Sequence, residues 1–194
     1  MNTITRIAIF GSGNGTNAQR IAEYFASDSG VEITTIVSNK KDAYILQRAK
    51  NLGIPCTCFS RKDFLETDNV LNYLKERNID YVVLAGFLWL VPQNLLAAFP
   101  SRIINIHPAL LPKYGGKGMY GEHVHEAVIA NGETQSGITI HFVDEHYDKG
   151  TNIFQATCEV LPDDTPESLA QKIHKLEYEH FPRVIEQVVK QNKL

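Results

Sequence analysis

Residues 81–87, YVVLAGF, are apolar throughout, with no polar side chain at alternate positions. A short β-branched run without alternation belongs to a strand covered on both faces, as in the middle of a parallel sheet. The next such run, RIINI at 102–106, carries Asn105 inside it and leads straight into His107 and Pro108. Working toward the N-terminus, RIAIF (6–10) reads as a first strand, followed by a glycine-rich turn and a helix through AQRIAEYFA (18–26). EITTIVS (32–38) reads as a second strand. The helix after it, AYILQRAKNLG (43–53), ends at Gly53 as a C′ position does. PCTCF (55–59) is a short strand, and NVLNYLKERN (69–78) is an amphipathic helix with Val70, Leu71, Tyr73 and Leu74 on one side.

Toward the C-terminus the texture changes. GITIHFV (137–143) and NIFQATCEV (152–160) both alternate, which predicts neighbouring antiparallel strands added to the sheet edge. A long last helix starts near TPESLAQKIHKLEYEHF (165–181), with Thr165 as N-cap and Pro166 at N1. The βαβα order predicts an α/β fold: one domain over residues 1–194, with an open, mostly parallel, Rossmann-like sheet and helices on both faces.

Composition sets bounds on function. The 194 residues are 43% hydrophobic and 21% charged, with a net charge of -3. That balance gives no reason to expect nucleic acid or an anionic membrane as partner. The longest apolar stretch, YVVLAGFLWLV, is about half of a membrane span. The N-terminus runs straight into the glycine turn, unlike a secretory signal. Cys56, Cys58 and Cys158 are an odd count with no paired framework, so reduced core thiols and a cytoplasmic location are expected.

The turn FGSGNGTN (10–17) invites comparison with the dinucleotide fingerprint G-x-G-x-x-G. Gly11 and Gly13 fit, but position 16 is Thr16. Strand two ends in Ser38, Asn39, Lys40 and Lys41, where a nicotinamide enzyme needs an acidic residue for the ribose. NAD is therefore not expected. The loop still suits a single phosphate, because glycines let backbone N–H groups approach closely at a helix N-terminus. His123 and His125 lie two apart in a helix-like stretch, where side chains diverge, so no metal is expected there.

Side chains two apart on a strand share a face. Asn105 and His107 thus sit side by side at the strand's carboxyl end, where ligands bind in open α/β sheets, and Pro108 holds His107 extended. A third group is needed to pair with the imidazole. Asp144, Glu145 and Asp148, in the loop after GITIHFV, are all candidates, and periodicity does not choose among them.

GNGTN, VVLAGF, INIHPALLPKYGG, GITIHFVDEHYDKG and KLEYEHFP, in this order, resemble the glycinamide ribonucleotide formyltransferase family over nearly the whole chain. The resemblance implies transfer of the formyl group of 10-formyltetrahydrofolate to the amine of 5-phosphoribosylglycinamide, in purine synthesis. It implies Asn105, His107 and Asp148 as the catalytic residues, and Gly15, Thr16 and Asn17 at the phosphate. His174 and Glu177 would meet the ribonucleotide, with Glu177 suited to ribose hydroxyls. Leu88, Trp89, Leu90 and Val91, with Asp144, Glu145, His146 and Tyr147, would line the folate site. The expected partners are these small molecules, and the expected state is a monomer or homodimer.

Three departures from the family pattern stand out. Trp89 occupies a position where the family often has a basic residue, and a basic folate contact is not clearly placed near Thr67, Arg61 and Lys62. The loop after Lys113 is lengthened by KGMYG (117–121). Two related activities compete: methionyl-tRNA formyltransferase would call for an appended tRNA-binding domain, and formyltetrahydrofolate hydrolase for an extra N-terminal regulatory domain. A nucleotide-binding module without catalysis would keep the glycine loop but have no use for Asn105 and His107.

Overall fold

The computed structural model describes residues 4–28 and 30–191. Its elements run β1 (Thr5–Gly11), α1 (Thr16–Phe25), β2 (Val31–Ser38), α2 (Tyr44–Asn51), β3 (Cys56–Cys58), α3 (Arg61–Leu65), α4 (Asn69–Glu76), β4 (Tyr81–Leu84), α5 (Gln93–Ala98), β5 (Ile103–His107), α6 (Glu122–Ala130), β6 (Gln135–Phe142), β7 (Asn152–Glu159) and α7 (Pro166–Gln191). Among the described residues these strands form one seven-stranded mixed sheet, in the order β3-β2-β1-β4-β5-β6-β7, with helices around it. The backbone packs as two compact units, one ending at Ile104 and one starting at Asn105, so β5 begins in the first and ends in the second.

In the first unit β1 pairs in parallel with β2 and β4, and β2 pairs in parallel with β3. α1 buries Ala18, Ile21, Ala22 and Phe25, the i, i+3, i+4, i+7 stripe of an amphipathic helix. α4 buries Val70, Leu71 and Leu74, while Tyr73 is half-buried with its hydroxyl 2.8 Å from that of Thr35. β4 is shorter than the apolar run suggests, because Gly86 at φ 73 turns the chain. α3 and α5 were not expected from the periodicity. α3 is closed by a capping box: Asp63 N–H donates to Ser60 Oγ at 3.1 Å, and Ser60 N–H to Asp63 Oδ2 at 3.3 Å.

In the second unit β6 and β7 are antiparallel, with Ile138 opposite Ala156. β7 alternates as expected, but β6 is buried at every position from Ser136 to His141. β6 lies inside the strand order rather than at its edge, and it is buried on both faces, with α7 packed against it. α7 packs on α6, β6 and β7, and runs through Pro182, which local rules would read as a stop. Its start is locked reciprocally: Ser168 N–H donates to Thr165 Oγ1 at 3.2 Å, and Thr165 N–H to Ser168 Oγ at 2.9 Å. Thr165→Ala is expected to cost about 1 kcal/mol of stability, read as a lower urea midpoint at unchanged slope. All three cysteines are free, but each is half-buried rather than in the core.

Candidate active site

The second unit gathers the polar residues of β5 with the loops that follow β5 and β6. Ile104 and Ile106 are buried on one face of β5; Asn105 is half-buried on the other and His107 is only 3% exposed. After Pro108 the chain is pinned to β6 and β7. The Leu111 N–H donates to Thr139 Oγ1 at 3.0 Å, Thr139 donates to the Ala109 carbonyl at 2.7 Å, and Gln155 Nε2 donates to the Leu111 carbonyl at 3.1 Å. The Leu111–Pro112 peptide is cis. Pinned this way, the loop brings the Tyr114 carbonyl to 2.7 Å from His107 Nε2. Tyr114 itself sits at φ 55, its hydroxyl donating to Glu133 at 2.9 Å.

The loop after β6 selects among the three acidic candidates. A Cβ at Gly150 would lie 1.7 Å from the Phe142 carbonyl oxygen, so only glycine lets the chain fold back this tightly on the strand end. Asp148, at φ 55, turns inward: Oδ2 accepts from the Gly116 N–H at 2.9 Å, and Oδ1 is 3.6 Å from His107 Nδ1. Asp144 instead accepts from the His146 N–H at 2.8 Å within its own turn, and Glu145, His146 and Tyr147 are exposed. His107 is thus flanked by two acceptors, the Tyr114 carbonyl and the Asp148 carboxylate. An imidazolium would donate to the Tyr114 carbonyl from Nε2 and face the Asp148 carboxylate, at ion-pair rather than hydrogen-bond distance, with Nδ1.

One participant escaped the sequence reading. Asn105 Nδ2 lies 3.1 Å from Nε2 of His141, a 1%-exposed residue of β6. The available signal was a histidine inside GITIHFV: a buried imidazole has to satisfy two nitrogens, so it points to polar neighbours. His125 is buried on α6, and its Nδ1 has no hydrogen-bond partner. Burial, helped by nearby His174 and His107, pushes its imidazole down to about 4. His123 is exposed and pairs with Glu126 at 3.3 Å. Among the described residues no three His, Cys, Asp or Glu side chains gather as a metal site would need.

The remaining sequence-selected residues lie as follows. In the first unit Gly15 forms the N-cap of α1 at φ 80, where a Cβ would come within 2.6 Å of Ile45, and Thr16 and Asn17 open the helix. The first turn has no acidic residue and no side-chain cap, so backbone N–H groups and the positive end of the dipole are left for an anion. Arg48 braces the loop by donating from Nε to the Asn14 carbonyl at 2.8 Å. The 88–91 segment is tied to the same loop, the Leu88 N–H donating to Ser12 Oγ at 3.0 Å. Leu88 and Leu90 are exposed, Val91 is buried, and Trp89 packs at 5.6 Å from the Phe64 ring. Thr67 is occupied locally, donating to the Asp63 carbonyl at 3.0 Å. On α7 of the second unit, Glu177 is 6% exposed with Oε2 3.4 Å from Nδ1 of the half-exposed His174. Burial lowers the His174 imidazole below its ordinary value.

A half-buried amide, a buried imidazole and a carboxylate are thus brought together, an arrangement that offers donors to an oxyanion and a carboxylate to a proton, as acyl transfer requires. The family profile described as formyl transferase matches residues 5–185. A phosphoribosylglycinamide formyltransferase of Arabidopsis thaliana, named chloroplastic, is 42% identical over 95% of this chain and 67% of its own length. That of Haemophilus influenzae is 38% identical over 93% of this chain and 85% of its own. The crystal structure of phosphoribosylglycinamide formyltransferase from Streptococcus pneumoniae superposes with a TM-score of 0.84 at 38% identity, covering 96% of this chain and 99% of that one. The chain belongs to the formyl transferase family, in its phosphoribosylglycinamide formyltransferase branch. It is an enzyme, a formyl-group transferase of purine biosynthesis.

Proposed function

We propose that Asn105, His107 and Asp148 carry transfer of the formyl group from 10-formyltetrahydrofolate to the amine of 5-phosphoribosylglycinamide. The supporting observation is the convergence of the three side chains within one unit, with His107 between the Tyr114 carbonyl and Asp148. The amine nitrogen attacks the formyl carbon and a C–N bond forms. Negative charge grows on the former carbonyl oxygen. Asn105 Nδ2 has one N–H toward His141 and a second to offer that oxygen. His107 Nδ1 faces Asp148 across 3.6 Å, longer than a hydrogen bond, so its N–H is the second donor available to the oxyanion. The bond from the formyl carbon to N10 then breaks. The proton leaving the amine reaches N10 by way of the Asp148 carboxylate and water. Products are formylglycinamide ribonucleotide and tetrahydrofolate. No covalent enzyme intermediate is needed, since a neutral amine is already nucleophilic.

In this reading Gly15, Thr16 and Asn17 hold the ribonucleotide phosphate, and His174 and Glu177 meet its ribose. Exposed Leu88 and Leu90, with Trp89, Val91 and the backbone of Asp144, Glu145, His146 and Tyr147, receive the folate. The reaction as written calls on no metal and no NAD. The 194 residues are read as one formyltransferase domain, a reading supported by the family match running through both units. We place the enzyme in the cytoplasm, acting on small molecules as monomer or homodimer. The test is acceptor choice. Purified protein with 10-formyltetrahydrofolate is expected to formylate glycinamide ribonucleotide, and to leave charged initiator tRNA unmodified and release little formate in water. Formate release or tRNA formylation at the higher rate would replace this reading by one of the two neighbouring activities.

A further inference from the structure

His141 is buried in β6 with each ring nitrogen assigned by its neighbour. Nδ1 lies 2.8 Å from the Phe142 carbonyl, an acceptor only, so Nδ1 carries the hydrogen. Burial lowers its imidazole below the ordinary value, keeping the ring neutral. Nε2 then presents a lone pair, 3.1 Å from Asn105 Nδ2. The nearby Asp148 Oδ1, at 3.8 Å from Nε2, forms no ion pair with a neutral ring. Asn105 is symmetric in shape but not in chemistry: either its NH2 edge or its oxygen can face a neighbour. A lone pair at Nε2 accepts only the NH2 edge.

We propose that His141 is a positioning residue that fixes which way the Asn105 amide faces. With one N–H held by His141, the amide plane is set and the second N–H is aimed as a preformed donor. Without His141 the amide can rotate and present its oxygen to the developing oxyanion, a repulsive arrangement. This inference rests on the reading of Asn105 as an oxyanion donor.

Three variants test it. His141→Leu removes the acceptor, and is expected to lower kcat roughly 10- to 100-fold with KM for both substrates little changed. His141→Gln puts a carbonyl oxygen near the place of Nε2, and is expected to recover most of that loss. In an Asn105→Ala background, His141→Leu is expected to cost no further activity, because the residue through which it acts is gone. The proposal is overturned if His141→Leu keeps wild-type kcat, if His141→Gln is as impaired as His141→Leu, or if the two losses multiply in the double variant. Should Asn105→Ala alone keep full activity, it is the reading of Asn105 that fails instead.

Discussion

His107→Ala is expected to reduce kcat by about 10²–10³, the loss of roughly 3–4 kcal/mol of transition-state stabilisation that follows removal of one oxyanion donor. KM for both substrates is expected to stay within a few-fold, since the interaction strengthens only as charge develops. The same change leaves the Tyr114 carbonyl and the Asp148 carboxylate without the partner they share in a site where His107 is 3% exposed. Stability is expected to drop by about 1–3 kcal/mol as well. Steady-state kinetics measured below the unfolding transition, with a urea titration of each protein, separate the two effects. A variant that is destabilised but turns over at the wild-type rate would remove His107 from the chemistry and leave it a structural part.

The second large effect belongs to His125. In the unfolded chain its imidazole takes up a proton near pH 6.5, whereas in the folded protein burial defers that to about 4. Between those values the unfolded state binds more protons, so stability falls as pH falls, and the loss levels off below the folded value. Over the range from pH 7 to pH 4 a shift of this size corresponds to about 3 kcal/mol. Its Nδ1 has no partner, so no hydrogen bond at that nitrogen offsets the charge. His174, also lowered by burial, acts with the same sign. Urea unfolding from pH 7 to pH 4 is expected to show a steep loss in the wild type. In His125→Leu the loss is expected to be shallower by that amount. Parallel curves for the two proteins would place the acid sensitivity elsewhere.

Much of the architecture was legible because burial imposes period. YVVLAGF and RIINI have no alternation, NVLNYLKERN has a helical stripe, and NIFQATCEV alternates as a half-covered strand does. α3 and α5 were not legible. At five and six residues they are too short to show a stripe, and α3 is held by a capping box rather than by periodicity. The burial of both faces of β6 was hidden because Thr139 and His141, buried polar residues, imitate an exposed face. Both are satisfied internally, Thr139 by the loop at Ala109 and Leu111, and His141 by Asn105 and Phe142.

The site divides the same way. Asn105 and His107 could be paired from strand geometry alone. Asp148 could not be separated from Asp144 and Glu145, because the choice depends on backbone events that periodicity does not encode: the left-handed turn at Asp148 and the glycine-dependent fold-back at Gly150. The resemblance to the formyltransferase family selected Asp148, and the loop geometry supplies the physical reason.

The most direct test of the three-residue centre is single-turnover formyl transfer to glycinamide ribonucleotide by Asp148→Asn with both substrates saturating. The amide keeps the size of the side chain and can still face His107, but it neither takes a proton nor neutralises an imidazolium. A fall in the transfer rate of at least about a hundredfold, with substrate dissociation constants unchanged, is the predicted result. Transfer at the wild-type rate would contradict the account.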